Sequence, residues 1–182
     1  MTPLEAALVE VGAALDSLSV PHVLIGGLAV SLWGEPRATL DLDLLVWVER
    51  QDLESSIAGL CGRLRALPGD PVAFVRQTQV LPVETSQGVR ADLIFARLPY
   101  ERQAIGRGCP KQVASQTVRV ASVEDLVLMK LVSERQRDID DARRLLRRYK
   151  GKLDSSYLEP RLVELAEALA RPDILQILRE ES

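Results

Sequence analysis

Two aspartates, Asp41 and Asp43, stand at the head of a run that is otherwise Leu, Val and Trp. The segment 22–48 reads HVLIGGLAVSLWGEPRATLDLDLLVWV. A carboxylate is costly to bury unless it is paired with a cation or binds a metal. The fold must therefore supply a counter-charge here or leave both groups at a strand edge. Side chains alternate between the faces of a strand, so Asp41 and Asp43 share one face, with Cα atoms roughly 6–7 Å apart. Leu40, Leu42 and Leu44 take the other face and bury it. Two carboxylates at that spacing reach one Mg²⁺ from the same side, because a hard cation takes oxygen ligands.

Upstream, an apolar run ends in Gly26-Gly27 and a short helix-like segment follows. Glycine lets the backbone approach an anion closely, and a helix N-terminus offers unpaired N–H groups. Together these features read as a phosphate cradle followed by a paired-carboxylate metal site, which is what transfer of a nucleotidyl group needs. Taken singly they are less specific. Gly-Gly alone reads as a tight strand-to-helix turn, and D-x-D alone as a solvated strand edge.

Composition narrows the alternatives. The 182 residues suit one domain, or a core with a small helical part. The hydrophobic share of 47% is enough for a globular core. The net charge of −3 excludes the broad basic footprint of a dedicated nucleic-acid binder, though not a local basic patch. His22 is the only histidine, which leaves almost no material for a His-based zinc site or a Ser-His-Asp triad. Two cysteines without a CxxC pattern point to the reducing cytoplasm. The apolar runs are too short to span a bilayer, and the acidic start MTPLEAALVE lacks the basic end of a signal peptide.

Thr2-Pro3-Leu4-Glu5 has the capping-box arrangement with proline at the first helical position, which predicts a helix from there to about Ser17. Strands are predicted at 22–25 and 40–48, with a helix at 28–33 between them. Asp52 reads as the N-cap of a helix to about Leu67, followed by a loop at 68–71. β-like runs follow at 72–75, 78–84 and 89–96. A polar Gly/Arg stretch (101–108) then leads to a strand at 113–120. From Ser122 the chain reads as helical nearly to its end, with breaks near 135–137, at Gly151 and at 171–172. The expectation is an α/β (α+β) fold. A mixed β-sheet flanked by helices would occupy residues 1–121, and a helical C-terminal third (122–182) would pack on it as one compact unit.

Asp92 lies inside the apolar run Val89–Phe95 and supplies a third carboxylate if that strand lies beside 40–48. Its simpler reading is a partner for a nearby arginine. Arg37 could clamp a phosphate and Thr39 could hydrogen-bond the turn. An ion pair and an ordinary strand residue are their plainer readings. Lys130 stands in the apolar helix Leu126–Val132, where a lysine either snorkels to solvent or meets an anion. A continuous helix would put Lys130, Glu134, Asp138 and Asp141 on one stripe. Arg97, Arg102 and Arg107 with Lys111, and separately Arg143, Arg144, Arg147 and Arg148, are clusters able to follow a phosphate backbone or to form a solvated face.

In these pieces the chain resembles the minimal nucleotidyltransferases of the polymerase-β-like superfamily, and within it the AbiEii-type group of toxin–antitoxin systems. The pieces are Ile25 to Ala29, Arg37 to Asp43, Val89 to Ile94, and Glu124-Asp125-Leu126 with Lys130, Arg135, Arg137, Asp138 and Asp141. The resemblance implies a nucleotidyltransferase fold, an NTP donor and Mg²⁺ or Mn²⁺. It implies Asp41 and Asp43 as metal ligands, and Asp92 as a third carboxylate that also activates the acceptor hydroxyl. It gives Lys130 a contact to the triphosphate, with Asp138 or Asp141 orienting it. Many members have Gly-Ser where this chain has Gly26-Gly27, and Ser31, one turn on, is a candidate substitute. The implied acceptor is a tRNA end, another RNA or a partner protein, with a cognate antitoxin as companion. Two other readings stay open: an antibiotic-modifying nucleotidyltransferase, and a module that binds NTP without turnover.

Overall fold

The first helix follows from its cap. In the computed structural model, which describes residues 1–34, 39, 41–114 and 116–181, helix α1 runs Pro3–Ser17. The Thr2 hydroxyl accepts from the Glu5 N–H, and the Glu5 carboxylate accepts from the Thr2 N–H. Ala7, Leu8, Val11 and Leu15 form its buried stripe.

The contacts divide the chain into two units, residues 1–29 with 37–121 and residues 30–36 with 122–182. The first unit holds a seven-stranded mixed sheet. Its strands are β1 (His22–Ile25), β2 (Leu42–Val46), β3 (Arg65–Ala66), β4 (Val80–Glu84), β5 (Arg90–Phe95), β6 (Cys109–Val113) and β7 (Gln116–Val120). They lie in the order β3-β4-β5-β2-β1-β7-β6. β1 pairs antiparallel with β2 and parallel with β7, and β2 pairs parallel with β5. Alternation buries one face: Leu42, Leu44, Ala91 and Leu93 are all at most 1% exposed. Helix α2 (Gly26–Trp33) follows β1 directly.

Several elements differ from the sequence expectation. Strand β2 starts at Leu42, and Leu40 lies outside the described residues. The helix expected to reach Leu67 is α3 (Leu53–Cys61), preceded by a 3₁₀ turn, Arg50–Asp52. It is capped at Gly62, and the chain beyond it feeds β3. The β-like run at 72–75 is instead helix α4 (Pro71–Thr78). Asp70 caps it by accepting from the Ala73 N–H at 3.0 Å, and Pro71 opens its first turn. The polar stretch near 101–108 is helix α5 (Pro99–Arg107), where Glu101 accepts from the Arg97 and Leu98 N–H groups. The single strand expected at 113–120 is the second half of a hairpin, β6–β7.

The second unit holds helices α6 (Val123–Val132), α7 (Gln136–Arg148), α8 (Ser155–Ala168) and α9 (Asp173–Glu181). Ser122 caps α6, and its hydroxyl donates to the fully buried Asp125 carboxylate at 2.7 Å. Tyr157 of α8 donates to the other Asp125 oxygen at 2.6 Å, tying α8 to α6. Trp33 packs edge-on against Tyr149, whose hydroxyl donates to the Trp33 carbonyl at 2.7 Å. No helix among the described residues is long and apolar enough to cross a membrane.

Candidate active site

The site begins at the end of β1. Gly26 follows Ile25 with φ of +69°, a conformation that costs an L side chain about 1–2 kcal/mol. Space imposes a second demand. A Cβ on Gly26 would lie 1.9 Å from Asp43 Oδ2 and 2.7 Å from its Cγ, so the aspartate carboxylate rests against the glycine backbone. The register explains the approach, because Ile25 is the cross-strand partner of Asp43.

On its other side Asp43 is in register with Asp92 of β5. Register partners on parallel strands project to the same face, so the two half-buried carboxylates emerge side by side. Asp41 precedes β2 and is exposed. Thr39 reaches the Asp41 carbonyl in a long contact, 3.4 Å. Gly27 opens α2, and Ser31 lies on the same helix, half-buried. Arg37 falls outside the described residues.

Arg90 completes the constellation. Its Nε donates to Asp92 Oδ1 at 3.0 Å and its Nη2 to Oδ2 at 3.2 Å, a two-pronged pair along one strand face. The hydrogen bonds Arg90 donates to Asp92, then the charge of Asp92, and more weakly the charges of Asp41 and Asp43, raise the Arg90 guanidinium above its ordinary range. One cation therefore lies in the field of all three carboxylates. The sequence carried the signal: Arg90 and Asp92 are two apart on a strand and must share a face.

Among the described residues no group of three or more His, Cys, Asp or Glu side chains is gathered as a preformed metal cage. What exists is a carboxylate pair, Asp43 and Asp92, with Asp41 one alternation away from Asp43. An oxygen-only donor set of this kind fits a hard divalent cation, and it fits neither zinc's preference for nitrogen and sulfur nor a soft metal.

Lys130 belongs to the second unit. It is not on one continuous helix with the acids that follow, because α6 stops at Val132 and α7 begins at Gln136. The expected stripe is instead a helix hairpin. Lys130 Nζ donates to Asp138 and stands 3.3 Å from Asp141 Oδ2. The three side chains are 11%, 15% and 1% exposed. Burial pushes the Asp138 carboxyl up, but hydrogen bonds from Lys130 and Ser133, and the charges of Lys130 and Arg135, outweigh it and hold the group below its usual range.

Of the second arginine cluster, Arg143 and Arg147 are engaged within the unit by Glu181, and Arg143 also by Glu180. The hydrogen bond from Arg147, reinforced by Arg143 against the opposing desolvation, depresses the Glu181 carboxyl to about 2. Part of this cluster therefore fastens α9 to α7.

The sequence matches the family described as "Nucleotidyl transferase AbiEii toxin, Type IV TA system" over residues 8–179. No curated protein matches it. Among solved structures it is similar to an antigenic nucleotidyltransferase-like protein from Paracoccidioides brasiliensis (18% identity, 96% of this chain and 92% of that chain, TM-score 0.50). It is similar to the antibiotic-resistance factor ANT(2'')-Ia in complex with adenylyl-2''-tobramycin (20% identity, 93% of this chain and 99% of that chain, TM-score 0.55). A third likeness is the lincosamide antibiotic adenylyltransferase LnuA with lincomycin bound (15% identity, 78% and 95%, TM-score 0.50). At these identities the likeness is one of fold.

Proposed function

The chain belongs to the AbiEii nucleotidyl transferase toxin family, and from that premise we propose that it moves a nucleoside monophosphate from an NTP to a hydroxyl of RNA, releasing pyrophosphate. The observation that carries the reading is the placement of Asp43, lodged against Gly26 on one side and in register with Asp92 on the other. The turn that opens a helix and the carboxylate pair thus lie at one point of the sheet.

Each residue has a part in this reading. The N–H groups at the start of α2, from Gly26 and Gly27 onward, receive phosphate oxygens. Ser31 and Thr39 add hydroxyl contacts, and Arg37 adds a cation for a phosphate. Asp41 and Asp43, with Asp92, hold a divalent cation, Mg²⁺ or Mn²⁺. When bound, that ion neutralises charge building on the transferring and leaving phosphates. Asp92 takes the proton of the acceptor hydroxyl, and Arg90 fixes the direction of that carboxylate. Lys130, with Asp138 and Asp141, is read from the family as a triphosphate contact. The toxin role, a cognate antitoxin and a cytoplasmic setting belong to the same proposal.

The test is incubation with each of four α-labelled NTPs, Mg²⁺ and total bacterial RNA, with Asp43→Ala as control. Label entering RNA from one preferred NTP, and absent in the control, supports the proposal. Label on protein alone would replace RNA by a protein acceptor. The second reading, a small-molecule acceptor, draws on the likeness to ANT(2'')-Ia bound to an adenylylated aminoglycoside. Transfer to tobramycin but not to RNA would favour it.

A further inference from the structure

β2 and β5 run parallel, so both leave the sheet at the same end, away from their carboxylates. There they frame a cavity of about 380 Å³ lined by Trp47, Arg50, Leu53, Gln79, Phe95 and Arg97. That volume is in the range of small-ligand sites, about 300–1,000 Å³. Phe95 is buried and Trp47 half-buried. The Arg102 guanidinium lies 4.6 Å from the centroid of the Trp47 ring, within cation–π distance. Arg50, Arg97 and Arg102 are exposed. Glu49 is the acidic member of the lining. Glu101 is occupied at the start of α5, accepting from the Arg97 and Leu98 N–H groups at 2.8 and 2.9 Å.

A chain of net charge −3 thus sets Arg50 and Arg97 in the lining of one cavity with Trp47, and Arg102 over the Trp47 ring. Arg143 and Arg147, by contrast, are held by acids of their own unit. A stacked cation–aromatic pair beside further arginines recognises a planar base carrying phosphates on either side, because every base has a π-face and every linkage a charge. Duplex RNA hides its bases in the stack, so the chemistry selects single strands.

We propose that this cleft binds single-stranded RNA, with an unstacked base against the Arg102–Trp47 pair and its flanking phosphates against Arg50 and Arg97. Trp47 is four residues from Asp43, about 13 Å along an extended strand. A strand held there lies within a few nucleotides of the carboxylates. The inference deepens the RNA-acceptor reading and takes its biological meaning from it, but its binding chemistry needs no turnover.

The experiment measures binding of a fluorescein-labelled oligouridylate by anisotropy, in EDTA and without NTP, from 50 to 300 mM salt. Wild type should bind, with an affinity that falls steeply as salt rises. The double variant Arg50→Ala/Arg97→Ala should bind at least about tenfold more weakly. Its log–log salt slope should be shallower by about 1.4, the loss of two phosphate contacts on a single strand. Trp47→Leu should lose about tenfold. Circular dichroism and thermal melting check that each variant is folded, and Arg50 and Arg97, being exposed, can be changed without touching the core.

No binding by wild type, or unchanged affinity and slope in the folded double variant, overturns the proposal. Equal competition by duplex RNA does the same. RNA bound at the cleft but never labelled by NTP would leave the cleft standing and remove RNA as acceptor. RNA labelled equally well by the double variant would overturn the cleft and leave the acceptor reading intact.

Discussion

Arg90 grips both oxygens of Asp92 on the strand face that also carries Asp43. The pair is half open to solvent, with Arg90 56% exposed, so it contributes little to stability. Its effect is directional. Arg90→Gln should lower kcat for nucleotidyl transfer about tenfold, part of what a misaligned general base costs. The KM for NTP should hardly move. Arg90→Lys should recover only a fraction, because an ammonium cannot match both oxygens. The melting temperature should stay within about 2 °C in both variants. A fall in KM-governed binding with kcat unchanged would show that Arg90 does something else.

Gly26→Ala is the severest small change available to the site. The new methyl would meet the Asp43 carboxylate at 1.9 Å, and the backbone would still require φ of +69°. Strain of about 1–2 kcal/mol should lower the melting temperature by a few degrees. Transfer should fall more than about a hundredfold, since Asp43 must move from the position in which the proposal has it act. Calorimetry together with a labelled-NTP assay on the folded variant checks both parts.

Asp43→Asn keeps shape and removes charge. Transfer should drop by at least about a hundredfold while the fold persists, and Asp41→Asn should behave alike. Replacing Mg²⁺ by EDTA should abolish turnover of the wild type and leave its thermal stability nearly unchanged. Retained turnover in Asp43→Asn would remove the carboxylate pair from the chemistry.

Lys130 is committed to Asp138 and Asp141 within its own unit, whatever it does for a nucleotide. Lys130→Met should destabilise by about 3–5 kcal/mol, because two largely buried carboxylates lose their cation. Lys130→Met/Asp138→Leu should regain only part of that loss, because the buried Asp141 still lacks Lys130. Activity measured in the double variant, at a temperature where it is folded, isolates any triphosphate contact.

Asp138 also sets an acid limit. Its folded-state carboxyl lies below the usual range, so it adds stability above the unfolded pKa near 3.8. That contribution is lost as pH falls through the lower folded value. Asp138→Asn should therefore be less stable than wild type at neutral pH, with the difference shrinking below about pH 4. Urea denaturation at pH 7 and pH 3 measures it.

Capping chemistry and apolar alternation made much of the fold legible. Thr2, Pro3 and Glu5 announce α1, the short apolar runs announce β1, β2 and β4, and β5 follows from its buried alternation. Where expectation and structure part, a helix cap lies inside a predicted loop. Asp70-Pro71 is a helix start, and the short apolar string after it is one turn of α4 rather than a strand. Pro99 and Glu101 similarly open α5 inside a stretch that looked merely polar. β6 contains Pro110 and alternates weakly, and it takes its strand form from pairing with β7.

The site was legible as residue types and not as an arrangement. Asp41, Asp43 and Asp92 stand out because a carboxylate in an apolar strand needs a reason. That Asp43 and Asp92 lie in register depends on β5 slotting beside β2, a matter of strand order that no local spacing encodes. Lys130 stood out for the same reason as the aspartates, yet its partners lie across a helix break that turns an expected stripe into a hairpin.

The parallel pairing of β2 with β5 has a consequence for when the carboxylate pair exists. Its two strands are separated in the chain by two helices and two other strands, so the carboxylate pair is among the long-range contacts that form slowly. A chain emerging from the ribosome carries Asp43 well before Asp92. Until the later strand docks, no fragment holds the pair, so under the proposed function a nascent or partly unfolded copy has no transfer site.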